Sequence, residues 1–258
     1  MHERLSFYIQ RNSPIHRLNP LTKLTLVFAL VLISFFSPWY WTSLCLILLV
    51  VFPLTVIGQV GREFFAAALR LLVPVTGFIF IMQSLFLPGG ETLLFRFWFL
   101  RVSLESVARA FLISTRIFGM VSSFILLLLT THPSELMTDL TRRGLPGTVA
   151  YVIISTLQIL PQMQAKAQTI IAAQRSRGLE VEGSFIRRVR ALVPLVGPLV
   201  FGSLVEVEER AIAIEARAFS ATLPKTSYRE ITDTSFDRTA RWLMVGLVVL
   251  SLVVRILG

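Results

Sequence analysis

Residues 24–61 read LTLVFALVLISFFSPWYWTSLCLILLVVFPLTVIGQVG and contain no charged side chain. A charge at the centre of a bilayer costs at least about 2.5–3.5 kcal/mol, so an uncharged run of this kind predicts insertion into a membrane. One crossing takes about 20 residues, and this run is too long for it. The SPWYW segment at 37–41 divides the run, because proline breaks a helix and Trp and Tyr favour the membrane interface. We therefore predict two spans, at about 21–37 and 41–58.

The composition of the whole chain supports the same fold class. The 258 residues are 54% hydrophobic and 16% charged, whereas a water-soluble domain carries roughly 25% charged residues. Further charge-poor runs predict spans at about 71–87, 108–130 and 240–257. The uncharged run 144–165 contains two prolines and Gln158, so we predict a helix at 148–160 that packs at or near the membrane surface. The predicted fold is all-α: a polytopic membrane protein with about five transmembrane helices.

The charges orient these spans. The 25 basic residues exceed the 15 acidic ones, giving a net charge of +10. No aromatic-basic motif suggests nucleic acid as a partner, so we interpret the excess by the positive-inside rule. Five spans with a cytoplasmic N-terminus place every basic-rich segment inside, whereas a sixth span at 148–160 would place the basic 187–190 segment outside. We predict a multi-pass protein of the cell (inner) membrane whose N-terminus is retained and cytoplasmic.

A long polar segment between the fourth and fifth spans holds most of the acidic residues. We predict three parts: the N-terminal segment and four spans at 1–130, a cytoplasmic domain at 131–238, and the last span at 239–258. Two pieces of the cytoplasmic domain resemble each other, and each is predicted as a helix that begins at a proline, Pro161 or Pro198. Together with Pro194, Gly197 and Gly202, Pro198 also predicts a break between two helices.

Each of these pieces ends in an arginine between two small residues. The first ends in Ser176, Arg177 and Gly178, and the second in Ala216, Arg217 and Ala218. A single arginine in the last turn of a helix is explained by the helix dipole alone. The repetition favours a docking function, because small neighbours leave a guanidinium exposed to pair bidentately with a carboxylate in a partner's groove.

The chain lacks the motifs of several function classes. No G-x-x-x-x-G-K-[ST] phosphate loop occurs, the three histidines and the single Cys45 form no metal-ligand spacing, and no catalytic residue, metal site or cofactor site is predicted. An ion-coupled carrier commonly needs acidic residues within the membrane, and the predicted spans have none. Arg109 and Arg116 are seven residues apart and therefore share one helix face. They are either structural residues or contacts to a partner or to lipid head groups. A stand-alone channel or secondary carrier and an intramembrane enzyme are the alternatives to a docking subunit.

Four stretches together resemble the transmembrane (T) subunit of energy-coupling factor (ECF) transporters, the EcfT/CbiQ-like family. They are HRLNPLTKL at 16–24, TTHPSEL at 130–136, QRSRG at 174–178 and EARAF at 215–219. Each is weak alone, but their order and spacing suit the family. Three positions depart from the family pattern: Ser176 replaces the usual alanine, Asn19 replaces a common aspartate, and Ala218 replaces the usual glycine. At Ala218 the local backbone is expected to differ from that of a relative with glycine there. Both arginines are kept.

The resemblance implies an ABC-type importer in which this chain is the non-catalytic scaffold. It implies an L-shaped arrangement of membrane helices and coupling helices, with Arg177 and Arg217 each entering a groove on one of two cytoplasmic ATPases. ATP and Mg²⁺ would be bound by those ATPases and by no residue of this chain. A small integral-membrane substrate-binding (S) subunit would bind the cargo, a vitamin or an ion of cobalt or nickel. Because selectivity lies in the S subunit, the sequence of this chain does not identify the cargo.

Overall fold

The computed structural model describes residues 8–9, 11–37, 39–86, 92–97, 100–178, 185–221 and 231–257. Nine helices lie in this part of the chain: α1 Pro14–Arg17, α2 Pro20–Phe36, α3 Thr42–Ile57, α4 Gly61–Phe86, α5 Leu104–Thr130, α6 Pro133–Arg142, α7 Gly147–Ser176, α8 Phe185–Ala216 and α9 Ser235–Leu257. One antiparallel hairpin joins β1 Leu93–Phe97 to β2 Leu100–Ser103, with Phe97 opposite Leu100. The all-α prediction is confirmed, and the hairpin is a local addition before α5.

The residues group into two compact units, which we describe separately. The bundle unit comprises Ser6–Gly144 and Ile231–Gly258, and the helix-pair unit contains Leu145–Glu230. The boundaries predicted from the sequence, at 130 and 238, lie close to these but do not coincide with them. The helix-pair unit contains α7 and α8, and the bundle unit contains the other described helices and the hairpin.

Five helices of the bundle unit correspond to the five predicted spans. Within the described residues, α4, α5 and α9 are long and apolar enough to cross a bilayer, and α2 and α3 are shorter apolar helices. The third span, predicted at about 71–87, was placed too late, because α4 begins at Gly61. Val60, Phe64, Ala68 and Leu72 are all buried. Their spacing of four residues forms one continuous helical face, which extends the helix toward its N-terminus.

Two of the apolar helices contain a short stretch of wide π-helical turns that precedes a proline. These stretches are Ile47–Val51 in α3 and Ala68–Leu72 in α4. Pro53 and Pro74 follow two residues later. A proline cannot bond the carbonyl four residues before it, and its ring clashes with that carbonyl. That carbonyl lies in the wide-turn stretch in both helices, so the local widening accommodates the proline without ending the helix.

The core of the bundle unit is a cluster contributed by α2, α3, α4 and α5. Its buried apolar members are Leu30, Val51, Val60, Phe64, Ala68, Leu72, Leu126 and Leu129. In α5, the buried Ser122 and Ser123 donate to backbone carbonyls of their own helix. Small side chains satisfied in this way let neighbouring helices approach closely. The outward positions are apolar as well, with Leu49 and Trp242 more than 70% exposed, as expected of a surface facing lipid.

The two helices of the helix-pair unit are longer than the sequence predicted. Pro161 lies inside α7, and Pro194 and Pro198 lie inside α8. The predictions that helices begin at Pro161 and Pro198, and that the chain breaks near 194–202, are therefore wrong. An internal proline removes one hydrogen bond from a helix, and in helices of 30 and 32 residues many others remain. The predicted helix at 148–160 exists as the first half of α7.

Candidate functional site

The first arginine motif forms the C-terminal cap of α7. The helix ends at Ser176, Arg177 is the cap residue with φ −94° and ψ 11°, and Gly178 follows with φ 88°. The amide of Gly178 donates to the Arg175 carbonyl at 3.0 Å. Glycine is the residue best suited to this left-handed conformation, which turns the chain away from the helix axis and satisfies one of the terminal carbonyls.

The second motif forms the same kind of cap at the end of α8, with alanine in place of glycine. Ala218 has φ 57°. Its amide donates to the Glu215 carbonyl at 2.9 Å, and the Phe219 amide donates to the Ile214 carbonyl at 3.1 Å. These two bonds define a Schellman motif. Ala218 lies in the same left-handed region as Gly178 of the first motif, and the expected backbone difference from a glycine-containing relative stays a prediction.

The two guanidinium groups are available to a partner. All six residues of the two motifs are exposed. The amides of Arg177 and Arg217 donate to carbonyls of their own helices, but neither guanidinium makes a hydrogen bond or ion pair with another residue of the described part of the chain. The nearby carboxylate of Glu215 accepts a hydrogen bond at 2.6 Å from the Ser220 hydroxyl. Each arginine thus presents a planar donor fork with no partner among the described residues, and this fork matches a carboxylate or phosphate geometrically.

The packing of α7 on α8 places these arginines at opposite ends of the helix pair. The contacts run in opposite directions along the two helices. Near the start of α7, the Tyr151 ring lies 5.2 Å from the ring of Phe219, just after α8. Further along α7, Lys166 Nζ lies 3.5 Å from Oε2 of the earlier Glu206. The pair is therefore antiparallel. Arg177 and Arg217 each lie 11 residues beyond the Lys166–Glu206 contact. At about 1.5 Å per residue, the two arginines are separated by up to about 33 Å along the helix axes.

One face of α8 is apolar and uncovered within the helix-pair unit. Side chains spaced three or four residues apart are each about half exposed or more, and they are Val193, Val196, Val200, Leu204 and Val207. This spacing places them on one side of the helix. A continuous apolar stripe of this length indicates contact with another apolar surface, either a protein or a lipid. We call this set of residues the α8 stripe.

The two other stretches that carry the family resemblance meet inside the bundle unit. Lys23 is 6% exposed, and its Nζ donates to the Thr130 carbonyl at 2.8 Å and the His16 carbonyl at 3.2 Å. His16 in turn lies 3.0 Å from the Ile9 carbonyl through Nε2, and burial lowers its pKa. His132 accepts a bond from the Ser134 amide and begins α6. The Lys23 bonds thus hold α1, α2 and the end of α5 together, and His132 caps α6.

Sequence reasoning did not identify this role of Lys23. The available signal is that Lys23 immediately precedes the uncharged run that begins at residue 24. The sequence alone did not reveal that a carbonyl at the end of a distant helix would receive its ammonium group.

The membrane arginines divide into two kinds. Arg116 Nη2 donates to the Ser37 carbonyl at 2.6 Å, and Arg255 Nη1 donates to the Phe35 carbonyl at 3.1 Å. Both therefore satisfy carbonyls at the C-terminal end of α2, where a positive charge also complements the helix dipole. This supports the structural interpretation of Arg116. Arg109 is exposed, and a contact to a partner or to lipid head groups stays a prediction for it.

The sequence is similar to known proteins over most of its length. The CbiQ family, described as cobalt transport protein, matches residues 11–228. The energy-coupling factor transporter transmembrane protein EcfT of Limosilactobacillus fermentum is 30% identical over the full length of both chains. The proteins of the same name from Bacillus subtilis and Lactococcus lactis are 29% and 26% identical, over 95% of this chain and 94% of each relative. The chain therefore belongs to the CbiQ/EcfT family of energy-coupling factor transmembrane proteins.

Proposed function

We propose that this chain is the scaffold subunit of an ECF-type importer and that it docks two ABC-type ATPases through Arg177 and Arg217. The observation that carries the proposal is the matched geometry of the two motifs. Each arginine caps the C-terminal end of one long helix, is followed by a left-handed residue, and is exposed. Two equivalent docking points at opposite ends of one helix pair suit two ATPases better than they suit one.

The role of each arginine in this proposal is to anchor a rigid helix end in a groove. A guanidinium pairs bidentately with a carboxylate on the partner, and the small residues on either side allow the partner's surface to approach the backbone closely. Because the helices are long, displacement of one end is transmitted along the helix to the Lys166–Glu206 contact. ATP and Mg²⁺ are bound by the partner ATPases, and this chain performs no catalytic step.

The α8 stripe supplies a surface for the S subunit in the same proposal. A small integral-membrane protein has an apolar exterior, so it can cover apolar residues that water would otherwise contact. The S subunit binds the vitamin or the cobalt or nickel ion and releases it inside when the coupling helices move. The orientation in the plasma membrane follows from the basic segments, with the N-terminus and the helix pair on the cytoplasmic side.

The test is copurification from the native host. The tagged chain is extracted in detergent beside an Arg177→Ala/Arg217→Ala variant and an Arg175→Ala variant, and the proteins recovered with each are identified. Arg175 is a matched control because it is exposed on the same helix end but lies outside the small-Arg-small motif.

We expect ATPases and a small membrane protein with the parent chain and with Arg175→Ala. Without the two arginines, we expect the ATPases to be lost while the chain still inserts into the membrane. Loss of an anchoring arginine commonly costs about 2 kcal/mol or more, a drop of roughly thirtyfold in affinity at each site. A chain that purifies alone in every form would contradict the scaffold function and favour a stand-alone channel or carrier.

A further inference from the structure

The chain leaves the bundle unit after Gly144 and returns to it at Ile231. The residues on either side of this excursion are bonded to each other within the bundle unit. Arg142 Nη1 donates to the Ile231 carbonyl at 2.7 Å, and Arg143 Nη2 donates to Asp233 Oδ2 at 3.1 Å. The outgoing and the returning segments are therefore joined at their base by two arginines that follow one another in sequence.

Asp233 extends this connection to α9 and α2. Arg241 Nη2 lies 2.8 Å from each oxygen of the Asp233 carboxylate, and Arg241 Nη1 donates to the Thr22 hydroxyl at 3.3 Å. Next to it, Asp237 accepts a bond from the Asn19 amide at 3.2 Å. The returning segment is thus held to the N-terminal parts of α9 and α2.

The pair at the centre of this network is better protected than an ordinary surface ion pair. The side chains of Arg241 and Asp233 are 14% and 29% exposed. Arg143 is 43% exposed and is shared between Asp233 and Asp139. Partial burial reduces screening by water and salt, so this network holds its geometry more firmly than a solvated pair does.

We infer that Arg142, Arg143, Asp233 and Arg241 form a clamp that transmits movement of the helix-pair unit to the membrane helices. This inference rests on the proposed function. Force carried along the chain from Leu145–Glu230 enters the bundle unit at Gly144 and at Ile231. If the segments are joined and anchored to α2 and α9, a displacement moves those helices; if they are separate, local stretching of the segments absorbs it. The four residues position the connecting segments and touch no substrate.

The experiment compares transport with ATP hydrolysis in the whole complex. The chain is copurified with its ATPases and S subunit and reconstituted in liposomes, and uptake per ATP hydrolysed is measured. Radiolabelled Co²⁺, Ni²⁺ and B vitamins are the probes, and the one that the parent complex accumulates is followed. Asp233→Asn removes the charge with little change of shape. Glu63→Gln is the matched control, because it removes another ion pair of the bundle unit, with Arg11 at 3.5 Å.

For Asp233→Asn we expect the same recovery of ATPases and the same ATP hydrolysis, with uptake per ATP reduced at least about fivefold. Asp233→Glu, which keeps the charge, restores most of it, and Glu63→Gln leaves the ratio unchanged. Normal uptake per ATP in Asp233→Asn overturns the inference, and so does an equal loss in Glu63→Gln.

A second variant covers the possibility that Asp233→Asn fails to fold. Arg143→Gln leaves the Arg241–Asp233 pair in place but removes one of the two arginine bonds that join the outgoing segment to the returning one, so uptake per ATP falls in it as well. An unchanged ratio in Arg143→Gln overturns the inference. Failure of the parent chain to recover ATPases is a different result, since it contradicts the proposed function and not the clamp alone.

Discussion

Replacing Ala218 by glycine is expected to stabilise the end of α8, although glycine usually weakens a helix. Ala218 has φ 57°, and a left-handed conformation costs a residue with a Cβ about 1–2 kcal/mol. Glycine removes that cost. A glycine also has more conformational freedom than alanine when the cap is open, and this entropy reduces the stabilisation of the closed cap by about 0.4–1 kcal/mol. The net gain is about 0.5–1 kcal/mol, so the closed cap becomes roughly two to five times more populated relative to the open one.

Hydrogen exchange measures this gain without any partner protein. The amides of Ala218 and Phe219 donate to the Glu215 and Ile214 carbonyls, so both exchange only when the cap opens. In Ala218→Gly these amides are expected to exchange roughly two to five times more slowly. The measurement is made by mass spectrometry on the detergent-solubilised chain, on peptides that cover 214–221.

The matched control is the same substitution two residues earlier. Ala216 is the last residue of α8, where glycine costs about 0.8–1.0 kcal/mol, so exchange is expected to become roughly four to five times faster. Gly178→Ala is the reverse substitution at the equivalent position of the first motif, so it is expected to destabilise that cap. Gly178 has φ 88° with open space around it, so only backbone strain acts there. If Ala218→Gly accelerates exchange as Ala216→Gly does, the reasoning about the left-handed cap is refuted.

Three further predictions concern the rest of the chain. Lys23→Met leaves the Thr130 and His16 carbonyls without their donor, so it is expected to lower the free energy of unfolding by about 3 kcal/mol. The loss is measured as a lower melting temperature in detergent. Lys166→Met is the control: it removes a partly exposed ion pair and should lower the free energy of unfolding by less than about 1 kcal/mol. Pro198→Ala restores a helix hydrogen bond inside α8, so the melting temperature should rise and transport should persist; loss of transport would indicate a hinge. Arg241 lowers the pKa of Asp233 below its ordinary value of 3.8, so the ion pair contributes stability above that value and loses it as the pH falls through the lowered pKa. The melting-temperature difference between the parent chain and Asp233→Asn should therefore be the same at pH 7 and pH 5 and should shrink only below pH 3.8; a difference that disappears between pH 7 and pH 5 would contradict this assignment.

The sequence predicted the membrane helices well because their signal is local. An uncharged run of sufficient length must bury its backbone in a helix if it enters a bilayer, whatever the rest of the chain does. The division between α2 and α3 followed from the SPWYW segment in the same way. The third span was predicted to begin only at about residue 71 because the charged Arg62 and Arg70 come before it. Long basic side chains near the end of a span can reach the interface, so they do not end the helix.

The extent of α7 and α8 could not be predicted because it depends on packing and length and not on a single residue. Pro161, Pro194 and Pro198 each predict an interruption by local rules, and two long helices that pack together continue through them. The positions of Arg177 and Arg217 at helix ends followed from the sequence. Their location at opposite ends of an antiparallel pair required the contacts of Lys166 with Glu206 and Tyr151 with Phe219.

The clamp lay outside sequence reasoning for a similar reason. Arg143 and Asp233 are separated by 90 residues. Because the helix pair lies between them in the sequence, this separation gives no indication that their side chains are close in space. The sequence predicted Asp233 to lie in the cytoplasmic domain at 131–238 and indicated no role for it. Only the return of the chain to the same place brings the two residues together.

The central claim is that each arginine docks one ATPase, and native mass spectrometry of the detergent-solubilised complex tests it most directly. The parent chain is expected to bind two ATPases, Arg177→Ala and Arg217→Ala one each, and the double variant none, with Arg175→Ala binding two. Two ATPases on the double variant, or the loss of both from one single variant with none from the other, would contradict the account.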